Sequence, residues 1–174
     1  MPKYVITGGP GTGKSTTIRL LEEMGYQIVH EAAMEVIEYE QRNGGEDLPW
    51  KNRKRFQQKV MELQKRMENE LDPEKQAFLD RGMPDGLAYY RLDGVETPEE
   101  FQKELGKNGY RKIFLLDRLP RYEKDTARTE DKETARKIHS LIEEVYRELG
   151  YEIEKVPVLP PEERARYIVE RTKR

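Results

Sequence analysis

Gly8-Gly9-Pro10-Gly11-Thr12-Gly13-Lys14-Ser15 is the stretch that decides the fold. It matches G-x-x-x-x-G-K-[ST], a loop whose glycines allow a tight turn and leave no side chain between the backbone N–H groups and an anion. Lys3-Tyr4-Val5-Ile6-Thr7 ahead of it reads as a strand and Thr16 to Met24 behind it as a helix, the context this loop requires. Its amides then converge on a phosphate at a helix N-terminus, and Lys14 adds a mobile point charge for the β- and γ-phosphates. The Ser15 hydroxyl is placed to ligate magnesium. Gly9, Pro10, Gly11, Thr12, Gly13, Lys14, Ser15 and Thr16 are therefore the expected nucleotide-binding residues, with ATP and Mg2+ as the expected ligands.

The 174 residues fit one domain, 1–174, able to bury an ordinary core. There is no cysteine, no charged-then-apolar leader and no apolar run near the ~18 residues of a membrane span, so the expectation is a soluble cytoplasmic protein. Charged residues make up 38% of the chain, yet 32 Lys and Arg nearly cancel 34 Asp and Glu. That balance describes ion-paired surfaces rather than a basic face for nucleic acid, and no nucleic-acid partner is expected.

Working outward, Gly-Tyr three times separates a helical stretch from an extended run: Gly25-Tyr26 before Gln27 to His30, Gly109-Tyr110 before Lys112 to Asp117, and Gly150-Tyr151 before Glu152 to Val156. Gln76 to Asp80 is a fifth strand candidate. Strands separated by helices predict a parallel sheet covered on both faces, an α/β class. Phe56, Val60, Leu63, Met67 and Leu71 recur at helical spacing, as do Ile138, Leu141, Ile142, Val145 and Leu149, and each series predicts an apolar stripe facing the core. Thr97-Pro98-Glu99-Glu100 reads as a capping box opening a short helix, and Pro160-Pro161 precedes a terminal helix.

Ligands of an open parallel sheet bind outside the carboxyl ends of the strands. The later strands end in His30-Glu31, Asp80-Arg81 and Asp117-Arg118, so each brings an acid to the rim that holds the phosphates. Asp80 is the expected metal carboxylate, with a helix N-cap as its competing role. Glu31 is placed to orient an attacking hydroxyl and accept its proton, or else to stabilise the helix Ala32 to Arg42 through the dipole. Arg81 is read as a phosphate partner or as a bridge to Glu31. Residues from about 118 to 130 carry Arg118, Arg121, Lys124 and Arg128 and read as a lid over the triphosphate, against a solvated charge run. Trp50, Asp85 and Tyr89 lie in segments that would wall a second-substrate pocket, with plain packing as the alternative. No Asn-Lys-x-Asp tetrad is present, so guanine selection of the usual GTPase kind has no support.

Thr7 through Thr16, Glu31-Ala32-Ala33, Phe78-Leu79-Asp80-Arg81-Gly82-Met83-Pro84-Asp85, and Tyr122-Glu123-Lys124-Asp125 with Arg128-Thr129-Glu130 together resemble the P-loop AAA-type ATPase/kinase domain shared by the ribosylnicotinamide kinase portion of NadR proteins and the Ttd14-like proteins. The resemblance implies a three-layer P-loop NTPase fold with sheet order 2-3-1-4-5. It also implies that an acid after strand two contacts the acceptor hydroxyl, here Glu31, and that a lid arginine touches the phosphates, here Arg128. The function expected is transfer of the γ-phosphoryl group of Mg-ATP to a hydroxyl of a small nucleoside-like acceptor. In that reading Lys14, Glu31, Asp80, Arg81, Arg118 and Arg128 carry the chemistry. The alternative is a nucleotide-dependent switch acting on a protein or lipid partner.

Overall fold

The computed structural model describes residues 1–120 and 129–173, with the backbone alone for 129–131. In chain order the elements are β1 (Lys3–Thr7), α1 (Lys14–Glu23), β2 (Gln27–Val29), α2 (Ala32–Asn43), α3 (Arg53–Asn69), β3 (Ala77–Asp80), α4 (Met83–Asp93), α5 (Glu99–Glu104), β4 (Tyr110–Leu116), α6 (Thr129–Glu148), β5 (Ile153–Val156) and α7 (Pro161–Thr172). The five strands form one parallel sheet of order β2-β3-β1-β4-β5, the order implied by the resemblance. Val5 of β1 stands opposite Leu79 of β3 and Ile113 of β4.

Period-two alternation sorts the strand side chains into two buried layers. Val5, Leu79, Ile113 and Leu115 face α6, where Ile138, Ile142 and Val145 cover them. Tyr4, Ile6, Phe78, Phe114 and Leu116 face the other way and meet Ile18 and Leu21 of α1 with Ala165 and Ile168 of α7. Both faces of the central strands are therefore apolar, which is why those strands read as unbroken hydrophobic runs. Each fully buried side chain of this kind contributes about 1.5–3 kcal/mol, so the two layers together supply the main driving force for folding.

The strand starting points follow from the helix ends before them. Gly25 and Gly150 take left-handed φ values of 91° and 78°, which end α1 and α6 without a Cβ penalty. Gly109 lies instead in the turn beyond α5.

Several sequence expectations shift. The α6 stripe is core, but the α3 stripe divides: Met67 and Leu71 pack on the sheet layer, while Phe56 and Val60 line a cavity. Thr97 is not a cap, because α5 begins at Glu99 with Pro98 at its N-cap position and no side-chain bond there. Residues 83–93, which have no amphipathic stripe, form α4, and Met83, Asp85, Gly86, Ala88 and Tyr90 are all buried around it. A helix enclosed on most sides gives no periodic signal. Among the described residues no helix is long and apolar enough to cross a membrane.

Candidate active site

The loop from Gly8 to Ser15 joins β1 to α1, and Gly13, left-handed at φ 80°, is the N-cap of α1. Its carbonyls are held outward from several sides. Arg81 Nη1 donates to Gly8 O at 3.1 Å, Thr12 Oγ1 to Gly9 O at 3.1 Å, and Leu119 N to Gly11 O at 2.9 Å. Arg164 Nη1 donates to Thr12 O, and Thr17 donates through both N and Oγ1 to Gly13 O. With the oxygens engaged this way, the first-turn N–H groups of α1, which have no intrahelical partners, face the space where an anion would sit.

Lys14 opens α1 and is buried. Burial, and then the neighbouring Arg81 charge, lowers its ammonium to about 8 against the pull of Asp80, Glu31 and Asp85. Asp80 ends β3 at 6% exposure, and its Oδ1 is buried with no hydrogen-bond partner among the described residues. Burial, and then the Glu31 charge, raises Asp80 to about 6 despite Lys14 and Arg81. A buried carboxylate oxygen lacking any donor fits a cation ligand, and Ser15 and Thr16 stand exposed at the start of α1. Among the described residues no cluster of three or more His, Cys, Asp or Glu forms a protein cage for a metal. Magnesium bound mainly through phosphates and one or two side chains needs none.

Arg81 is the hub. It alone among the described non-glycine residues has positive φ, 72°, a left-handed conformation that costs about 1–2 kcal/mol. Its guanidinium reaches Glu31 Oε1 at 3.0 Å, Asp85 Oδ1 at 3.0 Å and Gly8 O, and lies 5.6 Å from the Tyr89 ring centroid. Asp85 in turn accepts from Thr7 Oγ1, from Gly82 N at 3.0 Å and from Tyr146 Oη at 2.6 Å. With Arg81 that makes four donors for four lone-pair positions, so Asp85 anchors Arg81, and it also lines the cavity beside Glu31. Glu31 precedes α2 as its N-cap residue but makes no side-chain cap bond. Its second oxygen is left without a hydrogen bond among the described residues.

A cavity of about 230 Å3 opens beside Glu31 and Arg81, on the β2–β3 side of the loop. Phe56, Val60, Met83, Tyr89 and Phe101 give it apolar walls, and Arg53 and Gln57 supply polar groups. Tyr89 lies between Arg81 and Arg53, whose guanidinium is 5.3 Å from its ring centroid. Trp50 does not enter this wall, nor is it core: it is 62% exposed, and Pro49 takes the lining position. On the opposite, β4–β5 side a second cavity of about 320 Å3 is lined by Thr16, Leu119, Pro120, Val158 and Pro161 with Arg164. Arg118 follows β4, and its Nε and Nη1 are buried with no hydrogen-bond partner among the described residues. Arg128 and residues 121–128 of the expected lid lie outside the described residues.

Two residues here were missed in the sequence. Arg164 fastens α7 to the loop, and His139 of α6 accepts the Gly9 N–H at Nδ1, 3.0 Å away. Both carried a signal. Arg164 stands four residues before Ile168, and His139 four after Ala135, so each polar residue occupies a buried helical face.

Residues 3–164 match the family model of the AAA domain. The chain belongs to that family. Among solved structures, the chain is similar to a NadR protein in complex with NR, with a TM-score of 0.68 and 18% identity over 97% of this chain and 49% of that one. It is also similar to thymidylate kinase from Candida albicans (TM-score 0.63, 14% identity, 99% and 91% covered). Deoxyadenosine kinase from M. mycoides gives 0.64 and 19% over 98% of each chain. The chain spans about half the length of the NadR structure it matches. No curated protein matches it. The AAA domain described here therefore has the fold of P-loop nucleoside and nucleotide kinases.

Proposed function

We propose that this chain is a phosphotransferase that moves the γ-phosphoryl group of Mg-ATP to a hydroxyl of a small nucleoside-like acceptor. The observation that carries the reading is the phosphate loop lying between two cavities, one on each side of β1. Transfer needs a donor site and an acceptor site meeting at the γ-phosphate, whereas a nucleotide-dependent switch needs only the donor site. The β4–β5 cavity takes the donor base and the β2–β3 cavity the acceptor. At about 230 Å3 the latter is smaller than drug-sized pockets, which run to roughly 300–1,000 Å3, and suits a compact acceptor.

In the reaction the acceptor oxygen bonds to the γ-phosphorus as the bond to the β-γ bridging oxygen breaks, and ADP leaves. The free oxygen of Glu31 accepts the hydroxyl proton, while Arg81 fixes the carboxylate that receives it. Lys14 and the loop amides hold the phosphates, and Arg118, with its unpaired nitrogens, neutralises the charge that develops. Ser15 and Asp80 would hold magnesium, which would supply positive charge to offset that of the phosphates. Arg128 is assigned the same neutralising role on sequence grounds.

The test is incubation with γ-labelled ATP and a panel of nucleosides, nucleotides and ribosylnicotinamide. Label appearing in one acceptor supports the assignment. Label appearing only as free phosphate across the panel transfers the preference to the switch.

A further inference from the structure

The hydrogen bond from Gly9 N–H to His139 Nδ1 turns one loop amide away from the anion site and ties it to α6. The approach is close. A Cβ on Gly9 would lie 2.8 Å from Ala135 O and 3.0 Å from His139 Cβ, so the loop rests directly on the α6 backbone. Pro10 follows and has no N–H of its own, which makes the Gly9 amide the last donor able to fix the loop before its turn. An imidazole that accepts at Nδ1 must be neutral with its proton on Nε2.

We propose that His139 is a positioning residue for the phosphate loop, and that a proton on its Nδ1 breaks the contact with Gly9 and weakens triphosphate binding. The inference rests on the phosphate-binding role of the loop but not on the acceptor. Protonation would set an imidazolium N–H against the Gly9 N–H, donor against donor, and the loop would have to move. The groups facing His139 are Arg118 and Asp117 after β4, Lys155 of β5, and Glu143 one turn along α6. Burial, with the Arg118 charge next, holds the imidazole below its usual range against the pull of Asp117 and Glu143, so it is neutral and accepting at pH 7.

The test is calorimetric titration of the full chain with Mg-AMP-PNP between about pH 5 and 8, the range in which an imidazole titrates. Parent, His139→Asn and His139→Ala are compared. Asparagine offers a non-titrating oxygen near the Nδ1 position. The phosphates' own protonation affects all three alike, so the difference between the profiles is the readout. Expected is a parent affinity that falls about tenfold more than that of His139→Asn on acidification, the scale of one lost hydrogen bond, and a His139→Ala affinity about tenfold weaker than the parent at pH 7.5. Imidazole 15N spectra of the parent should show an unprotonated Nδ1 at pH 7.5. Superposable parent and His139→Asn profiles, or an Nδ1 that is already protonated at pH 7.5, would overturn the proposal, and both readings survive a failure of His139→Ala to fold. Phosphoryl transfer on the acceptor panel reports separately on the proposed function, which stands or falls without these outcomes.

Discussion

Glu31 Oε1 and Arg81 Nε are 3.0 Å apart, and this bond joins the N-cap of α2 to the left-handed residue after β3 in the wall of the cavity on the β2–β3 side. One carboxylate oxygen is held and the other makes no hydrogen bond among the described residues, so a group able to take a proton has a fixed direction.

Glu31→Gln keeps the side chain's size and removes its basicity. Phosphoryl transfer should fall about 10²-fold or more while ATP affinity is retained, as loss of a general base implies. Single-turnover transfer beside a binding isotherm separates the two, and a variant that turns over at the parent rate would strip Glu31 of its role.

Lys14→Ala should abolish tight triphosphate binding. In the parent, the Lys14 ammonium is lowered to about 8 by burial, so it is charged at pH 7 and loses its proton as pH rises past that value. Triphosphate affinity should therefore decline on the alkaline side, beginning at about 8 and shifted upward to the extent that bound phosphate stabilises the charge. An affinity flat to pH 10 would contradict this placement of Lys14.

Asp80 is raised to about 6 by burial, so in the ligand-free protein its charge opposes folding at neutral pH. The folded state binds a proton more readily than the unfolded chain, and its contribution improves as pH falls through about 6 toward 4. Asp80→Asn should raise stability at pH 7 by about 1–3 kcal/mol in chelator and abolish the stabilisation that Mg2+ with nucleotide gives the parent. Thermal melts in the two conditions check both halves.

Gly82→Ala tests the joint behind Arg81. The added Cβ would lie 2.7 Å from Tyr146 Oη and 3.0 Å from Tyr110 Cε2, inside the packed layer that anchors Asp85. A loss of about 1–3 kcal/mol is expected in denaturant unfolding, with weaker nucleotide binding because Arg81 is displaced.

The sheet was legible because its cause is local. Tyr4-Val5-Ile6 and Ile113 through Leu116 are buried on both faces and read as strands wherever they stand, and the loop after β1 fixes the first crossover. Helix α4 was not, since Asp85, Gly86 and Tyr90 are buried around its circumference and leave no stripe. Trp50 misled for the opposite reason: an apolar side chain promised a buried contact, and a neighbouring proline occupies the place. The acids at the strand ends could be found from topology alone. That Asp85 anchors Arg81 could not, because its other donors Thr7, Gly82 and Tyr146 come from three separate parts of the chain.

The tethers on the phosphate loop come from Arg81 beyond β3, Leu119 beyond β4, His139 on α6 and Arg164 at the start of α7. A growing polypeptide therefore lacks one of the loop's tethers until the start of α7 has docked. Capture of nucleotide in this sense reports on the docking of elements far apart in the sequence, α7 among them.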